Sequence, residues 1–262
     1  IIRFAHGIPV GIQTKKENGF KLTREDLEKA VTKKSKILLL NYPNNPTGVT
    51  LSEEEIREIA DFVIKYDLIL LTDEIYDELS YDNKHFSVIS VPGMRERTIY
   101  LHGFSKVWAM TGWRIGFIAA PSVFIEAMMK IHQYTMLCAS VTSQEAALEA
   151  VRNSQSSILY MKNEYLNRRN FIQSSFDQMK IPYIHSSGAF YIFVDISKFG
   201  LSSKEFAFNL LESENVAVVP GTAFGSCGEG FIRCSYATSL KDIEESMIRI
   251  SRFIKNYDTS DK

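Results

Sequence analysis

Cysteine is scarce in this 262-residue chain: Cys138, Cys227 and Cys234 are the only three. They form no Cys-x-x-Cys pair, which excludes a disulfide framework and a zinc ribbon and points to a reducing compartment, with the cytoplasm as the expected location. The five histidines are scattered without metal-ligand spacing, so no metal site is expected. A charge excess is missing too. With 30 basic and 31 acidic residues the formal net charge is −1, which gives no electrostatic case for nucleic acid or an anionic membrane surface. No apolar run approaches the roughly 20 residues of a membrane-spanning helix, and no signal-peptide pattern opens the chain. Repeats and low-complexity segments are absent. An initiator methionine is absent as well: "IIRFAHGIPVGIQ" enters at once on apolar, β-prone residues, and the expectation is that the chain is a piece of a longer protein.

What is present is an ordinary globular composition, 45% apolar and 23% charged, with length enough for two domains and a sizeable core. The runs "KILLLNY" (Lys36–Tyr42), "LILLT" (Leu68–Thr72) and "TIYLHGF" (Thr98–Phe104) are short, continuous and apolar, the pattern of strands covered on both faces. Between the first two, Ser52 and Glu55 form a capping box, and Ile56, Ile59, Ala60 and Val63 recur at helical spacing. Strand, helix, strand is the parallel crossover unit, so an α/β fold with a mostly parallel sheet and flanking helices follows. The segment from Ile75 to Arg97 is less regular but long enough for a second crossover. "RIGFIAA" (Arg114–Ala120) comes too soon after the third run for a helical crossover, and is expected to run antiparallel.

Beyond Pro121 helical patterns take over, followed by a long amphipathic stretch from Ser154 to Lys180. Strand-like "GAFYIFVDI", helix "SKEFAFNLLESE", strands "VAVVP" and "FIRCSYA" and a last helix starting at Ser239 and Asp242 complete the chain. The expected division is a large domain over residues 1–152 and a smaller C-terminal α+β domain over 153–262.

Each parallel strand ends in unusual chemistry: "NYPNNPTG", then "DEIY", then "SK". Ligands bind outside the carboxyl ends of strands in open α/β sheets, so Asn45, Asp73, Tyr76, Ser105 and Lys106 are expected at one edge. An antiparallel fourth strand brings Arg114 to the same mouth. Each element also has a bland reading. "NNPTG" is a good turn, and Lys106 alone is a solvated lysine. Asp73 could serve as a magnesium ligand in a nucleotide hydrolase, but no Gly-x-x-x-x-Gly-Lys-Ser/Thr loop accompanies it. The glycine-rich "GTAFGSCGEG" fits no phosphate-loop spacing and reads as a turn.

Taken in order, "NYPNNPTG", "TDEIY", "SKVWAMTGWRIGF" and "FIRCSYA" resemble the class I/II aminotransferases, the pyridoxal-phosphate enzymes of the aspartate aminotransferase fold (fold type I). The likeness runs from "ENGFKLTREDLEKAV" to the final helix. It implies that an N-terminal part carrying a phosphate-binding turn and a ring-stacking aromatic residue lies outside these residues. It assigns Lys106 to the covalent bond with pyridoxal 5'-phosphate and to proton transfer, and Asp73 to the pyridine nitrogen. Asn45 and Tyr76 go to the ring's phenolic oxygen, Arg114 to the phosphate, and Arg233 to the substrate α-carboxylate, with Asn45 beside it. Many relatives carry a serine three residues before the lysine; here that position is Gly103, and Ser105 is left as a phosphate ligand. The activity implied is amino-group transfer between an aspartate-like or aromatic L-amino acid and a 2-oxo acid such as 2-oxoglutarate, in a homodimer. A lyase or synthase on the same fold, and a non-catalytic regulator that binds the cofactor, are the alternatives.

Overall fold

In the computed structural model, which describes residues 2–258, two four-stranded sheets organise the chain. The first contains β1 (Ile37–Asn41), β2 (Ile69–Asp73), β3 (Thr98–Gly103) and β4 (Gly116–Ala119), in that spatial order. The first three strands are parallel and β4 is antiparallel to β3, as the short connection requires. Helix α1 (Arg24–Ala30) precedes β1, and α2 (Glu53–Lys65) joins β1 to β2. The Ser52–Glu55 capping box forms, with the Ser52 hydroxyl accepting from the Glu55 amide and the Glu55 carboxylate accepting from the Ser52 amide. It satisfies two of the amides that a helix start leaves without intrahelical partners. Ile56, Ile59, Ala60, Phe62 and Val63 then face the sheet and are buried with Leu38, Leu40 and Leu70. Truncating a residue as enclosed as Phe62 costs about 3–5 kcal/mol.

Helix α2 covers one face of the sheet, where Leu38 and Leu40 are buried, while Ile37 and Leu39 on the other face are each 56% exposed among the described residues. Helix α3 (Ser122–Thr135) follows β4. The crossover from β2 to β3, expected from the length of the segment, contains no α-helix. It is built from irregular chain with single 3₁₀ turns at Val88–Ser90 and Arg95–Arg97, held by the burial of Val88, Val91 and Met94.

Helices α4 (Val141–Asn153) and α5 (Gln155–Gln178) lead to the second sheet, which is antiparallel. Its strands are β5 (Tyr183–Ile184), β6 (Tyr191–Asp195), β7 (Val219–Pro220) and β8 (Phe231–Ser235), ordered β5-β6-β8-β7. Helix α6 (Ser203–Glu214) and helix α7 (Leu240–Asp258) pack with α5 around a core of Ile172, Phe176, Ile192, Val194, Phe206, Leu210, Ile232 and Ile250. The Ser239 hydroxyl caps the Asp242 amide at the start of α7. "GTAFGSCGEG" is a pair of 3₁₀ turns, as its composition suggests.

The two halves meet beyond β2. Tyr76 and Leu79 leave the first sheet and enter the core of the second. Arg169 of α5, 7% exposed, donates to Asp82 at 2.6 Å and to the Ser186 carbonyl, and His185 lies 2.7 Å from the same Asp82. These contacts fix the position of β6 relative to the ends of β1 and β2.

Candidate functional site

Strand register aligns the chemistry. Asn41 pairs with Asp73, Asp73 with Leu101, and Gly103 with Gly116, so the carboxyl ends of β1 to β3 and the start of β4 share one edge. Asn41, which the sequence analysis passes over, binds both neighbouring segments. Its amide nitrogen donates to the Asp73 carbonyl at 3.2 Å, and its side-chain oxygen accepts from the Asn45 backbone. Asn44 braces the same loop, its oxygen accepting from the Thr47 hydroxyl at 2.8 Å. The loop ends at Gly48, with φ +73°, where a Cβ would stand 2.4 Å from Ser186 Oγ and 2.5 Å from the Tyr191 carbonyl. Only glycine allows both that backbone angle and that approach, and the approach sets β6 against the "NNPTG" turn. The turn reading is therefore correct as local structure, and the turn also positions Asn45.

Arg233 on β8 reaches this loop across 188 residues of sequence and donates from Nη1 to Asn45 Oδ1 at 2.8 Å. Its guanidinium carbon lies 4.4 Å from the centre of the Tyr191 ring and 4.9 Å from that of Phe224. Its Nε is buried and without a hydrogen-bond partner. A desolvated donor with no acceptor is costly, so this nitrogen is suited to a ligand acceptor. Tyr191 is 7% exposed, and its hydroxyl lies 3.2 Å from that of Tyr76. Burial pushes the Tyr76 phenol well above its ordinary value, against the opposing Arg233 charge.

Asp73 is half-buried, and burial raises its carboxyl pKa even though the Ile75 amide donates to Oδ1 and His102 stands nearby. Among the described residues no lysine or arginine lies within ion-pair distance of Asp73. His102 is 8% exposed, accepts from the Gly103 amide through Nδ1, and lies 3.0 Å from Asp77 Oδ1 through Nε2. Its ring stacks on Phe117.

Lys106 follows β3 and points back over the site, with Nζ 5.5 Å from the centre of the Phe190 ring and 5.9 Å from that of Tyr76. Among the described residues no carboxylate lies within ion-pair distance of it. Arg114 closes the same connection in the left-handed conformation at φ 53°. It is exposed and donates to the Thr111 carbonyl, while Thr111 donates to the Ser105 carbonyl. Ser105, Lys106 and Arg114 thus belong to one loop braced by Thr111, without direct contact between the two cations. A Cβ at Gly103 would meet nothing closer than 3.5 Å, so packing does not demand glycine there.

The structure therefore joins Asn45 directly to Arg233, joins Tyr76 to Arg233 through Tyr191, and places Lys106 over Tyr76. Asp73 and Arg114 share the edge without touching that chain of contacts. Tyr191, Phe190, Phe224 and Asn41 escape the sequence analysis. The first two lie in "GAFYIFVDI", whose aromatics read equally well as strand core. Cys234 is inert as a nucleophile, since burial pushes its thiol up to about 12.

A family model described as aminotransferase class I and II matches residues 1–250. The aspartate aminotransferase of Pyrococcus abyssi is 46% identical over 96% of this chain. Aromatic-amino-acid aminotransferase 2 of Thermococcus litoralis is 45% identical, again over 96%. This chain spans 65% of the length of each. The crystal structure of an aromatic aminotransferase from Pyrococcus horikoshii superposes with a TM-score of 0.94 at 44% identity, covering 96% of this chain and 68% of the other.

Proposed function

This chain belongs to the class I and II aminotransferase family, and on that premise we propose that it binds pyridoxal 5'-phosphate and moves an amino group between an L-amino acid and a 2-oxo acid. One observation carries the reading. Lys106, Arg114 and Arg233 gather around the strand ends with no carboxylate paired to any of them among the described residues, while Asp73 sits half-buried at the same edge without a close cation. Three unpaired cations and one underpartnered acid suit a ligand with an anionic phosphate, a substrate carboxylate and a protonated ring nitrogen. The orphaned Arg233 Nε adds a buried donor that fits the same requirement.

Bound there, pyridoxal phosphate supplies an electron sink for negative charge developing on the substrate carbon. Asp73 would hold the proton on the ring nitrogen, and a cation at that position would favour the charged form of its carboxyl. Asn45 and Tyr76 would orient the ring through its phenolic oxygen. Lys106 Nζ, with no acid paired to it among the described residues, would hold the group covalently at its aldehyde carbon with loss of water and, once displaced by the substrate amine, would move the proton at the substrate carbon. Arg114 would grip the phosphate with two parallel donors, and the Ser105 hydroxyl would add a third. Arg233, steadied by Asn45, would orient the substrate by its carboxylate.

The amino acid in this proposal is aspartate-like or aromatic, following the names of the relatives, and the acceptor is a 2-oxo acid such as 2-oxoglutarate. The reading also includes a homodimer in the cytoplasm and a division into residues 1–152 and 153–262. No helix among the described residues is long and apolar enough to cross a membrane. Borohydride reduction of the full-length protein, followed by peptide mapping, tests the assignment. The reduced cofactor is expected on Lys106, and a label on another lysine or on none overturns the reading.

A further inference from the structure

Tyr191 occupies a position that the proposed reaction does not yet use. Its ring lies beneath the Arg233 guanidinium and its hydroxyl meets that of Tyr76 at 3.2 Å. Its own placement is tightly determined. The backbone pairs with Ser235 of β8, the carbonyl packs on Gly48, and the ring meets Tyr76 edge-on, with centroids 6.0 Å apart.

A phenol carries one hydrogen. Only one member of the Tyr76–Tyr191 pair can donate to the other. If Tyr76 donates, its hydrogen is spent inside the protein, and it can offer a bound molecule only lone pairs. If Tyr191 donates, the Tyr76 hydrogen is free to turn toward the site. Among the described residues neither hydroxyl has another hydrogen-bond partner, so this choice alone sets what Tyr76 presents. The cation over the Tyr191 ring draws charge from it and favours Tyr191 as the donor.

We infer that Tyr191 is a positioning residue with two separable parts: its hydroxyl commits Tyr76 to act as a donor toward the bound cofactor, and its ring supports the Arg233 guanidinium that receives the substrate carboxylate. The inference rests on the pyridoxal-phosphate reading of Tyr76 and Arg233. It places a single side chain between the cofactor-binding and substrate-binding halves of the site.

The test uses the full-length holoenzyme and follows the pH midpoint of the bound cofactor's absorbance in the absence of substrate. Tyr191→Phe keeps the ring and removes the hydroxyl. A hydroxyl that accepts a hydrogen bond donates its own hydrogen more strongly, so the loss weakens Tyr76 as a donor. The midpoint should rise by about 0.5–1 pH unit, the size of one neutral hydrogen bond, with the amino-acid KM within about two-fold of wild type. Tyr191→Ala also removes the ring under Arg233 and should raise that KM by roughly 2- to 30-fold. Tyr76→Phe should raise the midpoint at least as much as Tyr191→Phe. The double variant should go no further than Tyr76→Phe alone, because the two hydroxyls act in series. A midpoint that moves in Tyr76→Phe but not in Tyr191→Phe overturns the inference and leaves the Tyr76 assignment standing. If Tyr76→Phe does not move it either, or the protein binds no pyridoxal phosphate, the inference falls together with the reading beneath it.

Discussion

Arg233→Ala is the perturbation whose consequence follows most directly from the geometry. The guanidinium donates to Asn45 at 2.8 Å and its carbon lies 4.4 and 4.9 Å from the centres of the Tyr191 and Phe224 rings, with a buried, unpartnered Nε. A planar cation held by these contacts is already oriented before any carboxylate arrives, so little further ordering is required. Removing one partner of a buried, hydrogen-bonded charge pair costs about 2–5 kcal/mol. At about 1.4 kcal/mol per decade, amino-acid affinity should fall by roughly 30- to 4,000-fold. Arg233→Lys keeps the charge but loses the fork and the stacking, and an intermediate loss of about 10- to 100-fold is expected. The assay is a stopped-flow titration of the full-length holoenzyme with a single amino acid, reading the Kd from the saturation of the absorbance change. The cofactor spectrum before amino acid is added should be close to that of wild type. A Kd within two-fold of wild type for Arg233→Ala would show that the arginine only braces Asn45 and that the carboxylate binds elsewhere.

Asp73→Ala should leave the cofactor bound through Lys106 and Arg114 but depress single-turnover rates by about 100-fold or more, because the ring nitrogen loses the acid that keeps it protonated; near-normal rates in a stopped-flow half-reaction would refute the assignment. Asp82 supplies a pH dependence of stability. Burial alone would raise its carboxyl, but the hydrogen bonds from Arg169 and His185 outweigh burial and hold it below the ordinary value of 3.8. A depressed acid contributes stability that is complete above its unfolded pKa and is lost as pH falls through the folded one. Urea titrations of the wild type should therefore show a loss of stability below about pH 4 that is shallower in Asp82→Asn. At neutral pH that variant should lose about 1–3 kcal/mol, less than a fully buried pair, since the Asp82 side chain is 34% exposed while Arg169 is left with a charge it cannot easily hydrate. Equal slopes for the two proteins would rule out Asp82 as the source.

The parts of this molecule that could be read from sequence are those encoded within one segment. The capping box at Ser52 and Glu55 is four adjacent residues, and it forms. The antiparallel sense of β4 follows from a connection too short for a helix, and the strand pairs that way. Asn45, Asp73, Lys106 and Arg114 announce themselves because each stands at a strand end, where a run of apolar residues stops on a polar one. What was not legible depends on which distant segments meet. The contact of Arg233 with Asn45 spans 188 positions. It is set by Gly48 admitting β6 against the "NNPTG" turn, with β8 pairing to β6. Tyr191 was hidden for a related reason: in "GAFYIFVDI" it is one aromatic among several, and only the fold shows that its hydroxyl meets another while its neighbour Ile192 is simply core.

The pattern of missing partners carries the functional argument further than any one residue. The chain has almost equal numbers of acids and bases, 31 and 30, and its surface uses them in ordinary ways. Lys29 pairs with Glu25, Arg57 with Glu53 and Arg249 with Glu245 one helical turn away. Even the buried Arg169 and Glu214 have opposite charges beside them. At the edge formed by β1 to β3 the pairing stops. Asp73 stays apart from Lys106 and Arg114, although all three belong to that edge, and the Arg233 Nε has no acceptor. The buried Arg233 Nε and the half-buried Asp73 carboxyl carry a desolvation cost that the protein residues around them do not offset. Ion pairing between Asp73 and Lys106 would relieve part of that cost, yet it would occupy the acid needed at a ring nitrogen and the amine needed at an aldehyde. Their separation is the arrangement that leaves both available.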